Sequence, residues 1–446
     1  MSLLDYFPIK ERGSDVRTEI IAGVTTFLTL SYIVFVQPAV LSACGMDMGA
    51  VMVATCVASA IATILMGLLA NYPIALAPAM GHNFYFAFTV CGTSAMGGLG
   101  YPWQVALGAN FISGSIFVLF SNWGMREKII EAVPASLRYA IAVGIGFLIA
   151  LVGLEWGGII VASPGTLVTL GNLHSPPVII TILGILFIAI LLTRQIKGAI
   201  LFGIIFNTAL CLAWGLIRFE GIVSRPPSIA PTFFKLRLAD LFSYPQVFTV
   251  IFILFFLDLF DTVGTLIGVS EEAHFMEGGK LTHAKQALLS DAIGTVVGAL
   301  MGTSTITSYI ESASGISEGG RTGLANMVTA ALLLLSLFFF PLVKMIGGGY
   351  RTPLGATLYP VIAPALIMIG VFIIKAVRKI DWEDYSEAIP AFLTLFIMPL
   401  TFSVTEGIVW GFISYTLLKV VQGKGKEVNG VLYFLSGIFL VRYILL

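Results

Sequence analysis

Charge is what this 446-residue sequence has least of: Lys, Arg, Asp and Glu together make up 11% of it, divided into 24 basic and 24 acidic residues. A soluble domain carries about 25% charge, and no soluble core could hide a chain that is 58% hydrophobic. With a mean hydropathy of +0.98, the remaining solvent is lipid, and the chain reads as a multi-spanning membrane protein. Cysteine is equally scarce. Cys44, Cys56, Cys91 and Cys211 lie in or beside apolar segments, without a CxxC pair or metal-ligand spacing, so they are expected to be small core residues rather than a disulfide framework or a metal centre. The absence of a basic block argues against nucleic acid, and the absence of a Walker loop argues against nucleotide as an energy source. Met1 to Glu19 has no short apolar run ending in a small-residue cleavage site, which excludes a secretory signal. Leu3, Leu4, Tyr6, Phe7 and Ile9 leave two readings of this tail, an interfacial stretch or a partly ordered end.

What the chain does have is apolar length. A helix crosses the bilayer with about 20 apolar residues, and candidate spans run near 19–41, 50–70, 102–121, 133–153, 176–193, 198–216, 246–270, 285–302, 322–342, 357–375, 387–402, 404–421 and 429–445. Two more segments, near 77–92 and 304–318, are interrupted. The first contains Pro78, Gly81, His82 and Asn83, and the second is polar from Thr303 to Ser312. Neither suits a lipid-facing helix. Both suit half-helices buried in protein at a cavity. Counting them gives fourteen crossings up to residue 421 and one more segment at the end, which either crosses or lies in the interface.

With the N-terminus in the cytoplasm, seventeen basic residues fall on the inside, Arg126 and Lys128 among them, and six outside, as the positive-inside rule prefers. The Pro-rich loop Arg218 to Asp240 divides the chain into two halves of seven crossings. An odd number inverts the second half relative to the first, and the interruption is third in each. Paired interruptions of this kind point to a transporter's midplane site. The expected architecture is therefore all-α, with a cytoplasmic tail over 1–18 and a linker over 218–245.

Ionisable groups inside a bilayer cost a few kcal/mol and call for a function or a partner. Asp258 and Asp261 stand i and i+3 in the eighth segment with Thr262 and Thr265 close by, so they are expected to share a face turned inward. Two neighbouring carboxylates repel, and one of them is expected to hold a proton near neutrality. Glu311 stands where a half-helix would start, beside Ser312, with the positive end of the helix dipole at the site. Asn83 holds the equivalent place in the third segment, with His82 before it and the aromatic residues Phe84, Tyr85, Phe86 and Phe88 after it. His82 reads as a packing histidine, and Asp291, with no polar company in sequence, as a structural hydrogen-bonding group. Arg321 is expected to cap a helix or pair with Glu318, and Glu155 and Glu406 to meet solvent near the membrane edges. Acids, an amide, hydroxyls and aromatics suit a small, flat, neutral or cationic solute, moved by an ion gradient.

These residues resemble a known family. Arg17-Thr-Glu-Ile-Ile-Ala-Gly-Val-Thr-Thr-Phe-Leu-Thr-Leu-Ser-Tyr-Ile, Val36-Gln-Pro, Asp258-Leu-Phe-Asp-Thr-Val-Gly-Thr, Asp291-Ala-Ile-Gly-Thr, Gly302-Thr-Ser-Thr, Tyr309-Ile-Glu-Ser-Ala-Ser-Gly-Ile and Glu318-Gly-Gly-Arg-Thr-Gly look like the AzgA-like purine permeases of the nucleobase:cation symporter-2 family. The resemblance implies a uracil-permease-like fold of two inverted seven-helix repeats, with short strands in segments 3 and 10. The core domain would comprise 19–122 and 246–345, the gate domain 133–217 and 353–421, and 429–446 would lie outside the repeats. It further implies that Asp258 and Glu311 hold a purine, that Asn83 shapes the pocket, that Asp261 assists binding or coupling, and that peptide groups near Phe84 and Glu311 add backbone bonds. Asp258, Asp261 and Glu311 are the groups expected to couple the proton, with Ser312 at the substrate and Thr262, Asp291 and His82 in support. The family often has a small residue where this chain has Phe84, which implies a smaller base or extra stacking.

The resulting expectation is a proton-coupled importer of adenine, hypoxanthine or guanine in the bacterial inner membrane. It would have an elevator-like motion, no bound cofactor or metal, lipid and purine as its partners, and no nucleic acid. Na⁺ is the alternative coupling ion. Uracil or xanthine is the alternative substrate, and an anion carrier of the same fold the alternative transporter. An intramembrane aspartyl enzyme is the remote alternative, which lacks a Gly-x-Gly-Asp motif. Fold relatives can dimerise through gate domains, so both a monomer and a homodimer stay open.

Overall fold

The computed structural model describes residues 6–93, 98–123, 133–163, 165–272, 275–277, 280–352 and 355–445. Leu3, Leu4, Arg126 and Lys128 lie outside these residues. Among the described residues, eight helices are long and apolar enough to cross a membrane, and three shorter apolar helices accompany them.

Local signals set the helix ends. Helix α1 (Val16–Leu30) starts where Asp15 accepts from the N–H groups of Arg17 and Thr18. It breaks at Ser31 and Tyr32 and resumes as α2 (Ile33–Ser42). Helix α3 (Met48–Leu65) is capped by Asp47, and its widened last turn, Met66–Ala70, stops at Asn71 in the left-handed region with φ 53°. The interrupted third segment is strand β1 (Leu76–Pro78), helix α4 (Met80–Phe84) and a widened turn, Tyr85–Val90. There follow α5 (Trp103–Trp123), α6 (Ala135–Trp156), a hairpin of β2 (Ile160–Ser163) and β3 (Leu167–Leu170), α7 (Pro176–Thr193) and α8 (Ala199–Ala213).

The second half begins with α9 (Val247–Glu272), the small hairpin β4 (Met276–Glu277) and β5 (Lys280–Leu281), and α10 (Ala284–Met301). The interrupted tenth segment is β6 (Ile306–Ser308) and α11 (Ser312–Ser317). Helices α12 (Leu324–Leu335) and α13 (Phe340–Gly347) are joined by a tight turn, and the hairpin of β7 (Tyr350–Arg351) and β8 (Thr357–Leu358) leads to α14 (Ala363–Ile374). The chain ends with α15 (Tyr385–Thr401), α16 (Val404–Val421) and α17 (Gly430–Leu445).

The two interruptions solve each other's backbone problem. An extended strand inside a bilayer leaves peptide groups without partners unless protein supplies them. β1 and β6 pair antiparallel, with Leu76 opposite Ser308, Ala77 opposite Thr307 and Pro78 opposite Ile306. The ladder continues where Ala79 N–H donates to Thr305 O at 3.0 Å and Tyr309 N–H to Ala75 O at 2.9 Å. Asn326 on α12 covers the carbonyls of Thr63 and Ile74 at 3.0 and 2.8 Å. Strands 230 residues apart thus form one two-stranded unit.

Packing separates most helices into two bundles. Helices α1, α3, α5 and α9–α12 pack on one another around the paired strands, whereas α6–α8 and α14–α16 pack among themselves. Helix α4 lies between them: a Cβ on Gly81 would come within 2.9 Å of Ile145 on α6. The loop from 218 to 240 lies across the first bundle, where Phe234 N–H donates to Leu300 O at 2.8 Å, Arg237 N–H to Gln104 O at 2.9 Å and Ser224 N–H to Phe338 O at 2.8 Å.

The last segment, α17, runs back along α16. Ser436 Oγ meets Thr416 Oγ1 at 2.9 Å and donates to Phe412 O at 3.0 Å, Phe439 packs on the Phe412 ring, and the Tyr443 hydroxyl donates to Glu406. Advancing along α17 therefore means retreating along α16 towards its first turn. An interfacial helix would cross α16 at one level only.

Candidate substrate site

The two aspartates of α9 diverge. Asp258 is fully buried and accepts from Thr262 Oγ1 at 3.4 Å and from Thr295 Oγ1 at 3.3 Å. Thr262 also reaches Asp291 Oδ2 at 2.9 Å, and Asp291 Oδ1 accepts from the Ser308 N–H at 2.9 Å. Thr295 completes the brace: its hydroxyl donates to Ile306 O at 2.9 Å and lies 3.2 Å from the Ile306 N–H. Asp258, Thr262, Asp291 and Thr295 together hold the free edge of β6. Asp291 thus has the polar company in space that it lacks in sequence.

Asp261 points elsewhere. Its side chain is exposed, and its Oδ2 accepts from Thr307 Oγ1, in the middle of β6, at 3.2 Å. Glu311, partly exposed, accepts from the Tyr32 hydroxyl at 2.7 Å. Ile310, next to Glu311 in the chain, is 62% exposed. Among the described residues, neither Asp261 nor Glu311 forms an ion pair. Two acids and a threonine offer acceptors to a ligand's N–H groups and would repel an anion.

On α4, which follows the other strand, Asn83 is fully buried. Its Oδ1 accepts from Ser304 Oγ, and Gln37 Nε2 lies 3.0 Å from Ser304 Oγ. Phe84 is buried and stacks on Phe88 with ring centroids 5.5 Å apart. The N–H groups of Met80, Gly81 and His82 open α4, where no intrahelical acceptor exists for them. His82 is 2% exposed, and among the described residues neither ring nitrogen finds a partner. Ser312 Oγ accepts from the Ala75 N–H at 3.0 Å, which ties the start of α11 to the chain entering β1. Asp261 and Glu311 are thus the acids that keep exposed surface, while Asp258, Asn83, Phe84, Ser312 and His82 are buried.

Arg321 donates from Nη1 to Ile316 O and Gly320 O, both at 2.8 Å, and so caps α11, while Glu318 pairs with Lys197. Tyr32, Thr307, Gln37 and Glu19 were not singled out by sequence. Glu19 is fully buried and accepts from the N–H groups of Arg321 and Thr322 at 2.8 and 3.3 Å. A lone amide before Pro38 was the available signal for Gln37. Tyr32, inside an apolar run, gave none. Among the described residues no group of three or more His, Cys, Asp or Glu could hold a metal ion.

Known proteins share both the fold and the sequence. The membrane domain of the cyanobacterial bicarbonate transporter BicA superposes with a TM-score of 0.62 at 16% identity, covering 89% of this chain and 97% of that one. SLC26A9 does so with 0.62 at 11% identity, covering 95% and 67%. These are transporters of the uracil-permease-like fold, which this chain shares. In sequence, a putative permease of Methanocaldococcus jannaschii is 49% identical over 99% of this chain and 98% of its own length. The guanine/hypoxanthine permease PbuG of Bacillus subtilis is 44% identical over 99% of both, and the adenine permease AdeP of Escherichia coli 43% identical over 98% and 95%. The sequence model of the Permease family matches residues 17–409. The chain is thus a multi-pass membrane transporter, not an enzyme, and it belongs to the Permease family, with adenine and guanine/hypoxanthine permeases among its relatives.

Proposed function

We propose that this permease imports a purine nucleobase together with a proton, and that Asp261 and Glu311 hold both. The observation that carries the reading is a pair of carboxylates beside the paired strands that keep exposed surface, with Thr307 and Tyr32 orienting them. A neutral purine presents ring and exocyclic N–H donors, which carboxylates accept. Two acids in one site disfavour full ionisation, so one of them carries a proton in with the base. An anion such as bicarbonate would meet the wrong sign.

The role of Asp258 follows from its bonds. It is buried against Thr262 and Thr295, so it braces β6 and sets the position of Thr307. Asn83 and Phe84 support the opposite strand. The bundle of α6–α8 and α14–α16 serves as the gate, against which the bundle bearing the site slides, carrying the site between the two faces in alternating access. The basic-residue distribution puts the N-terminus in the cytoplasm.

The test is uptake of radiolabelled adenine, hypoxanthine and guanine in cells lacking their own purine permeases, with and without a protonophore and over a range of Na⁺. Saturable uptake collapsed by the protonophore and indifferent to Na⁺ supports the reading. Uptake that follows Na⁺ overturns the proton, and uptake of uracil or bicarbonate alone overturns the substrate.

A further inference from the structure

One cavity has walls that include neither Asp261 nor Glu311. It measures about 150 Å³ and is lined by Phe88, Gly92, Glu155 and Phe402. Phe88 and Gly92 follow α4, Glu155 lies in the last turn of α6, and Phe402 sits between α15 and α16. The walls thus come from both bundles, and Thr89 Oγ1 bridges them by donating to Phe402 O at 3.2 Å. Trp156 sets its edge against Phe88, with centroids 6.2 Å apart. Phe88 in turn stacks on Phe84, the neighbour of Asn83. Glu155 is exposed and, among the described residues, forms no ion pair.

From these walls we infer a second purine station, separate from the acid pair and reached from the face of the membrane opposite the N-terminus. Phenyl rings accept a flat aromatic face, and the Glu155 carboxylate accepts N–H donors from its edge. The volume equals about five waters at ~30 Å³ each, enough for one two-ring base and too little for a nucleoside. A carboxylate at the wall excludes anions. Because both bundles build it, the station is complete only in the arrangement seen here, and a base leaving it passes along Phe88 and Phe84 towards the site. This inference rests on the purine reading given above.

The test compares purine uptake in right-side-out and inside-out membrane vesicles, with the exposed face identified by a tag on the N-terminus. Glu155→Gln keeps the shape and removes the charge, and Glu155→Asp shortens the reach. On the Glu155 face, Glu155→Gln is expected to raise KM about 10-fold, the loss of roughly one hydrogen bond to a charged group, and Glu155→Asp to raise it less. KM and Vmax on the other face should stay at wild-type values, so Vmax on the Glu155 face rises with its KM, because reversibility ties the ratio of the two Vmax/KM values to the gradient alone. Equal KM changes on both faces, or none, overturn the station. Wild-type vesicles that take up no purine from either face would instead overturn the purine reading itself.

Discussion

The hydroxyl of Tyr32 donates to Oε1 of Glu311 at 2.7 Å, joining the break in the first membrane segment to the break in the tenth. Each partner stands where a helix is interrupted, so neither is locked by a regular turn. A hydrogen bond to a charged group contributes about 1.5–3 kcal/mol, which corresponds to roughly 10- to 100-fold in a binding constant. Tyr32→Phe should therefore raise KM for purine by about 10-fold or more, whereas Glu311→Gln should abolish uptake. Immunoblots of the membrane fraction should show both proteins at wild-type level. Unchanged uptake by Glu311→Gln would remove Glu311 from the site.

The two aspartates of α9 should separate in their phenotypes. Asp261→Asn takes away an acceptor at the proposed site and should abolish uptake while leaving thermal stability in detergent near wild type. Asp258→Asn places an amide donor against Thr262 and Thr295 inside a buried network. Leaving buried polar groups mismatched costs about 1–3 kcal/mol, so this variant should lower Tm by several degrees. The reverse pattern would return the ligand to Asp258.

Helix α17 should carry the C-terminus to the side opposite the N-terminus. Its contacts descend α16 from Thr416 to Glu406 while ascending from Ser436 to Tyr443, and sixteen residues rise about 24 Å. Reporter fusions at both ends, one active only in the cytoplasm and one only outside it, should place the termini on opposite faces. Termini on the same face would make α17 interfacial.

Much of this was legible in the sequence, because lipid imposes a length rule on apolar runs. The observed helices start and stop within a few residues of the expected spans for most segments, and the strands fall at both expected interruptions. The site was less legible. Residues i and i+3 lie 60° apart on a helix, so spacing puts Asp258 and Asp261 on one broad face. Which of them meets β6's brace is decided by Thr295 and Asp291 on another helix. Likewise nothing near Glu19 announces that it holds the N–H groups of Arg321 and Thr322, some 300 residues on. The smaller base or extra stacking implied by Phe84 turns on where its ring points, and the ring is turned onto Phe88, four residues on.

Outside the membrane, Asp384 caps α15 by accepting from Ser386 N–H and Oγ, both at 2.8 Å. These bonds, with Lys419 nearby, hold its carboxyl well below the usual carboxylate range. An acid depressed on folding stabilises the fold above its unfolded pKa of about 3.9 and loses that contribution as pH falls through the folded value. Asp384→Asn should therefore melt below wild type at pH 7, and the gap should close progressively once the pH drops below about 4. A gap that is constant with pH would assign the effect to shape rather than charge.

Gly81 is the place to ask whether the bundles slide. It belongs to α4 and faces Ile145 of α6 across the boundary, with room for no Cβ closer than 2.9 Å. Gly81→Ala brings its Cβ to 2.9 Å from Ile145 Cγ2, so the Ile145 side chain must shift, and it should slow transport modestly. Gly81→Leu puts a branched side chain into the contact, which should cut the rate of exchange of bound for external purine at least 10-fold. Equilibrium binding should change little, because Asp261, Thr307 and Glu311 are untouched. Pairing Gly81→Leu with Ile145→Ala should recover much of the rate, since the second change vacates the volume the first one fills. Loss of binding and rate together, unrelieved by Ile145→Ala, would mean that α4 is fixed to α6 and that the motion happens elsewhere.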